Sequence, residues 1–187
     1  MTRFIKLIYN FIRSRIYLDE SIMLYRHKNL IKIDSEATLV EVDEHNLMDA
    51  LAFESRSSYN YMTRMYLKGE KGILGYVDGK CVHRSWIKDT KGKALLYKFL
   101  QININEQDVY IHDCATAPDM RGKNIYPFVL SYIAEKYKSS KKILIATSQN
   151  NESSVKGILK AGFIPIEKHC IKVVLGIKKR KVERINS

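Results

Sequence analysis

The stretch "HDCATAPDMRGKNIYPFVL", His112 to Leu130, joins an extended segment to a helix through a basic turn. With the preceding "DVYI" it reads as a strand over 108–116, and "PFVLSYIAEKY" puts Phe128, Val129, Tyr132 and Ile133 on one helical face. A helix N-terminus exposes unpaired backbone N–H groups and the positive end of the helix dipole. A turn just before it can aim further N–H groups at the same point and cradle an anion. That geometry needs residues that tolerate left-handed backbone: Gly122 does so without strain, and Asn124 is among the few other types that do. Pro127 has no N–H to leave idle and a φ preset for a first turn. Arg121 and Lys123 add positive charge. A plain surface connection would carry the same Lys and Arg, so the turn alone leaves both readings open.

Downstream, "KKILIAT" (141–147) is a continuous apolar run, as buried parallel strands are. "NNESSVKGILKAGF" then predicts a helix with Asn151 as N-cap and Gly162 just past its C-terminus. Upstream, "TLVEV" (38–42) alternates as a strand. Asp43 caps a helix carrying Leu47, Met48, Leu51 and Ala52, and a second helix spans about Tyr59 to Leu67. Two apolar runs flank Asp78-Gly79, a hairpin signal. "ALLYKFLQINI", "FIPI" and "HCIKVVLGI" read as further strands. The expected fold is α/β (α+β): one mixed, mostly antiparallel sheet of about six or seven strands with helices on both faces.

The 187 residues predict one domain of ordinary globular composition, 45% hydrophobic and 28% charged. Cys81, Cys114 and Cys170 are odd in number and far apart, which argues against a disulfide framework or a clustered metal site and for a reducing cytoplasm. The net charge of +12 sits at the ends. Residues 1–32 and residues 166–187 each hold seven Lys/Arg against two Asp/Glu. Such ends bind anionic lipid, nucleic acid or a polyanionic ligand, or are simply solvated; the near-neutral middle speaks against a nucleic-acid face. Phe4, Leu7, Ile8, Phe11 and Ile12 recur at helical spacing among basic residues, so residues 1–18 predict an amphipathic helix for peripheral contact with the inner membrane face or for docking on its own domain. The expected organisation is an arm at 1–33, a domain at 34–177 and a basic tail at 178–187.

Two blocks at matched spacing, Arg121 to Tyr126 and Asn151 to Gly162-Phe163, resemble the GNAT acetyltransferase superfamily, which uses acetyl coenzyme A. Its first block is Arg or Gln, two residues, Gly, one residue, then Gly or Ala; its second is an Asn and a helix ending in Gly-Phe. Asn124 and Tyr126 stand where the family has glycine or alanine, and a large last residue is similar to a branch with "RGxGIY" turns. The order of elements matches over about residues 38–177. The resemblance implies that backbone N–H groups of Arg121, Gly122, Lys123, Asn124, Ile125 and Tyr126 hold the coenzyme A pyrophosphate. It implies that strand 108–117 splays from strand 142–148, that Cys114, Ala115 and Thr116 line the acetyl group, and that Asn151 positions the pantetheine arm.

Direct transfer to an amine needs a base for the amine and an acid or donor for the departing thiolate. The family often places Glu, Asp or His on the strand before the turn. Tyr110, His112, Cys114 and Thr116 alternate with Ile111, Asp113 and Ala115, unless a bulge exchanges the faces. His112 is the first candidate base, with Asp113 as the second. The family's thiolate-side Tyr falls at Ile158, leaving Tyr126 or Tyr110 as substitutes. Cys114 reads as a small buried hydrophobe rather than a nucleophile. Arg84 and Trp86 either meet an anionic or sugar substrate or form an ion pair and a core residue. The implied activity is N-acetylation of an amine acceptor, an amino sugar or nucleotide sugar by analogy with surface-polysaccharide branches, by a monomer or homodimer. The alternative is a catalytically degenerate coenzyme A-binding or regulatory module.

Overall fold

The computed structural model describes residues 17–139 and 141–185. Among the described residues ten strands run in chain order: β1 Tyr17–His27, β2 Thr38–Glu41, β3 Lys71–Val77, β4 Lys80–Lys88, β5 Gly92–Tyr97, β6 Leu100–Ile104, β7 Asp108–Thr116, β8 Lys142–Ser148, β9 Phe163–Val174 and β10 Ile177–Arg184. The α-helices are α1 Arg56–Leu67, α2 Ile125–Tyr137 and α3 Glu152–Lys160. Eight strands form one sheet in the order β10-β9-β1-β8-β7-β4-β3-β2, with β5 and β6 as a separate hairpin. Every neighbouring pair in the sheet is antiparallel except β7 and β8.

Strand alternation builds a core on each face. Val109, Ile111, Ile143 and Ile145 point to one side and pack with Val129, Ile133 and Ile158 of α2 and α3. Leu74 and Trp86 point to the other and meet Met62 and Met65 of α1. Tyr110, Leu144 and Leu24 also face that way and bury Ala94 and Ile104 of the β5–β6 hairpin. Each such aliphatic side chain contributes about 1.5–3 kcal/mol by leaving water.

The sheet is larger than expected. Residues 1–16 of the expected arm lie outside the described residues, but Tyr17–His27 is an interior strand between β9 and β8. The tail is likewise a strand: Ile177–Arg184 pairs with β9 and forms one sheet edge. "FIPI" and "HCIKVV" are one continuous strand. Asp43 does cap, accepting from the N–H groups of His45 and Asn46, but the turn it closes leads into a 3-10 helix, Leu47–Ala52. α1 starts earlier than expected because Ser55 accepts from the Ser58 N–H.

Candidate active site

β7 and β8 hold together for only four residue pairs, Asp108 with Lys142 through Ile111 with Ile145. Beyond that point Ala115 and Thr116 pair with β4, while Ala146 to Ser148 pair with β1. The facing edges therefore part, and a cleft of about 540 Å³ opens between them and the N-termini of α2 and α3. Cys114, Ala115, Thr116, Arg121, Gly122, Asn124, Ile125, Tyr126 and Asn151 all line it. Of the expected cofactor set only Lys123 lies outside, drawn 3.4 Å from Glu36.

The basic turn has the backbone its sequence demands: φ is 83° at Gly122 and 60° at Asn124. Asn124 is the N-cap of α2 in left-handed conformation, and its Oδ1 accepts from Lys160 Nζ at 2.8 Å, which ties the turn to α3. None of the backbone N–H groups of residues 121–126 bonds to a protein acceptor among the described residues. Among the described residues, Arg121, Lys156 and Lys160 are the charged members of the lining, and no carboxylate joins them. Unpaired donors, a helix dipole and three cations make the cleft a site for a polyanion.

Asn151 caps α3, its Oδ1 accepting from the Ser154 N–H at 3.2 Å. Tyr126 lays its ring on α3 directly over Gly157, and its hydroxyl lies 3.2 Å from Ser154 Oγ. A phenol therefore stands in the cleft wall, supplied from α2, while Ile158 is fully buried. Burial holds the Tyr126 hydroxyl well above the usual tyrosine range, and burial pushes the Cys114 thiol up to about 12. Beneath lies His83, fully buried, with Nδ1 2.7 Å from Thr116 Oγ1 and Nε2 2.8 Å from Ser85 Oγ. Burial and the Arg84 charge lower its pKa to about 3, so the ring is neutral.

Asp113, at φ 47°, is the bulge of β7: His112 pairs with Trp86 but Ala115 already pairs with Arg84. The extra residue resets alternation. His112 and Asp113, expected on opposite faces, both meet groups from the α1 side, and Cys114 turns to the α2 side, packing on its core. His112 Nε2 lies 3.1 Å from Glu70 Oε2, off the line of a hydrogen bond, and both atoms are buried without another partner. Burial alone would raise the Glu70 carboxyl; His112, Lys88 and Lys68 more than offset this and hold it below the usual range. Asp113 meets Arg84 at 2.7 Å, and Glu54 grips the same guanidinium at 2.8 Å.

The structure redirects three expected site residues. Trp86 is 1% exposed and belongs to the α1 core, so it has no face to offer a sugar. Arg84 is buried between two carboxylates, so its charge is already matched. Tyr110 is buried and donates to the Leu95 carbonyl of the hairpin, away from the cleft. The α3 lining residues Ser153, Lys156, Gly157 and Lys160 were missed, although they recur at helical spacing after Asn151. Glu70 and His83 carried no such signal, since their partners are 42 and 33 positions away.

No protein-family model matches the sequence, and no curated protein matches it. Solved structures do. A functionally unknown conserved protein from Staphylococcus epidermidis aligns at TM-score 0.60 and 14% identity, covering 90% of this chain and 67% of that one. A GNAT-family acetyltransferase from Colwellia psychrerythraea aligns at TM-score 0.59 and 15% identity, covering 89% and 60%. A glucosamine N-acetyltransferase region of a fungal multi-domain β-N-acetylglucosaminidase aligns at TM-score 0.61 and 9% identity, covering 89% of this chain and 22% of that one. The chain thus spans less than two thirds of the length of the second and third of these. The shared property is architecture, and the chain carries the fold of the GNAT acetyltransferases.

Proposed function

We propose that the chain is an acetyl coenzyme A-dependent N-acetyltransferase that passes acetyl directly to an amine. The observation that carries this reading is the cleft where β7 and β8 part: it has free backbone donors, three cations and no carboxylate, at the N-termini of two helices. Acetyl coenzyme A supplies a thioester, an acyl donor activated toward amines.

The N–H groups of residues 121–126, with Arg121, Lys156 and Lys160, hold the diphosphate end. The unpaired edge of Cys114 to Thr116 receives the acyl end. His112 takes the amine proton, with Glu70 holding its ring and Asp113 beside it on the acceptor side. The Tyr126 hydroxyl, kept protonated by burial, gives a proton to the leaving thiolate. The acceptor is an amino sugar or a nucleotide-linked amino sugar; the fungal glucosamine acetyltransferase region and the "RGxGIY"-like turn support it. Arg84 and Trp86 are committed elsewhere, so contacts to that sugar come from other residues.

Calorimetric titration with acetyl coenzyme A, followed by acetyl transfer to glucosamine, nucleotide-linked amino sugars, polyamines and peptide amines, tests this. Absence of binding at millimolar ligand sinks the enzyme reading. Binding without turnover on any amine selects a degenerate coenzyme A-binding module, which Ile158 and the bulky Tyr126 would suit.

A further inference from the structure

The start of β1 and the turn into the basic strand β10 meet at one corner of the sheet. β1 lies beside β9, and β9 beside β10. Tyr17 pairs with Val174, which pairs in turn with Ile177. Tyr17, the first described residue, therefore lies next to the β9–β10 turn, Leu175-Gly176.

That turn has an unusual residue. Leu175 and Gly176 have φ of 49° and 82°, the positive pair of a type I′ hairpin. The β3–β4 hairpin of the same molecule uses the same geometry with Asp78-Gly79, at 49° and 73°, the usual choice. Leucine there is strained and gains no burial: it is 78% exposed. Ile177, 66% exposed, Val174 and Tyr17 are also open to solvent around it. Phe99, from the β5–β6 turn, is exposed too and lies 4.5 Å below Lys178 Nζ. Along β10 follow Lys178, Lys179, Arg180 and Lys181, all exposed.

We infer that this corner docks on an anionic lipid bilayer, the Leu175 turn entering the interface and the β10 cations meeting headgroups. A polynucleotide would reward the charge but not Val174, Leu175 and Ile177. A second copy would bury the apolar tip but bring like charges together. An anionic bilayer rewards both, and aromatic side chains such as Tyr17 and Phe99 suit its interface. The inference is independent of the acetyl-transfer reading.

The test is sedimentation of the full chain with vesicles of phosphatidylcholine alone and with phosphatidylserine added. The expected result is partition into the anionic vesicles, weakened by salt. Lys178→Glu with Lys179→Glu lowers it about thirtyfold or more. Leu175→Asn, which suits the turn, raises the thermal midpoint while lowering partition, and Leu175→Asp with Ile177→Asp lowers it about tenfold or more. The inference is overturned by equal partition into both vesicles or neither. Variants that partition like the parent also overturn it, because residues 1–16 would then suffice alone. So does RNA binding or self-association without vesicle binding.

Discussion

A Cβ on Gly157 would sit 2.6 Å from Cδ1 of Tyr126, so the glycine in α3 is the space that the tyrosine of α2 occupies. Gly157→Ala therefore destabilises the fold by about 1–3 kcal/mol through overpacking. With Tyr126→Ala in place the sign reverses, since alanine is favoured over glycine in a helix by about 1 kcal/mol. Urea midpoints across the four-member cycle measure this coupling; additive effects would show that the two residues do not share the space.

His83 sets an acid limit on stability. Its folded pKa of about 3 lies below the ordinary 6.5, so between these values the unfolded chain binds a proton that the folded chain refuses. Stability is full above the ordinary value and falls as pH drops through this window, by a few kcal/mol at about pH 4. His83→Gln flattens that slope while lowering stability near neutrality. Thermal midpoints measured against pH decide it, and a slope equal to the parent's refutes the assignment.

Cys114 stays a thiol at neutral pH, because burial pushes it up to about 12. Thiolate is the nucleophilic form, so the expected outcome is that no acyl-cysteine accumulates. Cys114→Ala keeps its activity within about threefold, and mass spectrometry after incubation with acetyl coenzyme A finds no added acetyl on the parent. An acetylated Cys114 peptide would contradict this.

The His112–Glu70 pair gives the base its test. His112→Ala lowers kcat about 10²–10⁴-fold. Glu70→Gln, which keeps the shape but drops the charge beside His112, lowers kcat less than His112→Ala does and leaves acetyl coenzyme A binding unchanged. An unchanged kcat in Glu70→Gln means that the carboxylate does not act through His112.

Much of the site was legible because its signals are local. Gly122, Asn124 and Pro127 state their backbone roles in their chemistry, and Asn151 and Gly162 bracket a helix by capping rules. The bulge at Asp113 has no local signature: aspartate merely tolerates φ 47°, and pairing with β4 decides where the extra residue goes. β1 was hidden for a related reason. Its buried residues Ile22, Leu24 and Tyr25 are few, and its partners β8 and β9 lie more than 100 positions away. β10 looked like a solvated tail because an edge strand open to water needs no apolar face.

The bulge also bears on kinetics. One strand presents Cys114 to Thr116 to the cleft and, one residue earlier, turns His112 and Asp113 to the opposite side. Two substrates reaching that strand from opposite faces do not compete for a doorway, and neither product has to leave before the other substrate can enter. Initial-rate plots against the two concentrations should therefore intersect rather than run parallel, with both molecules on the protein at once.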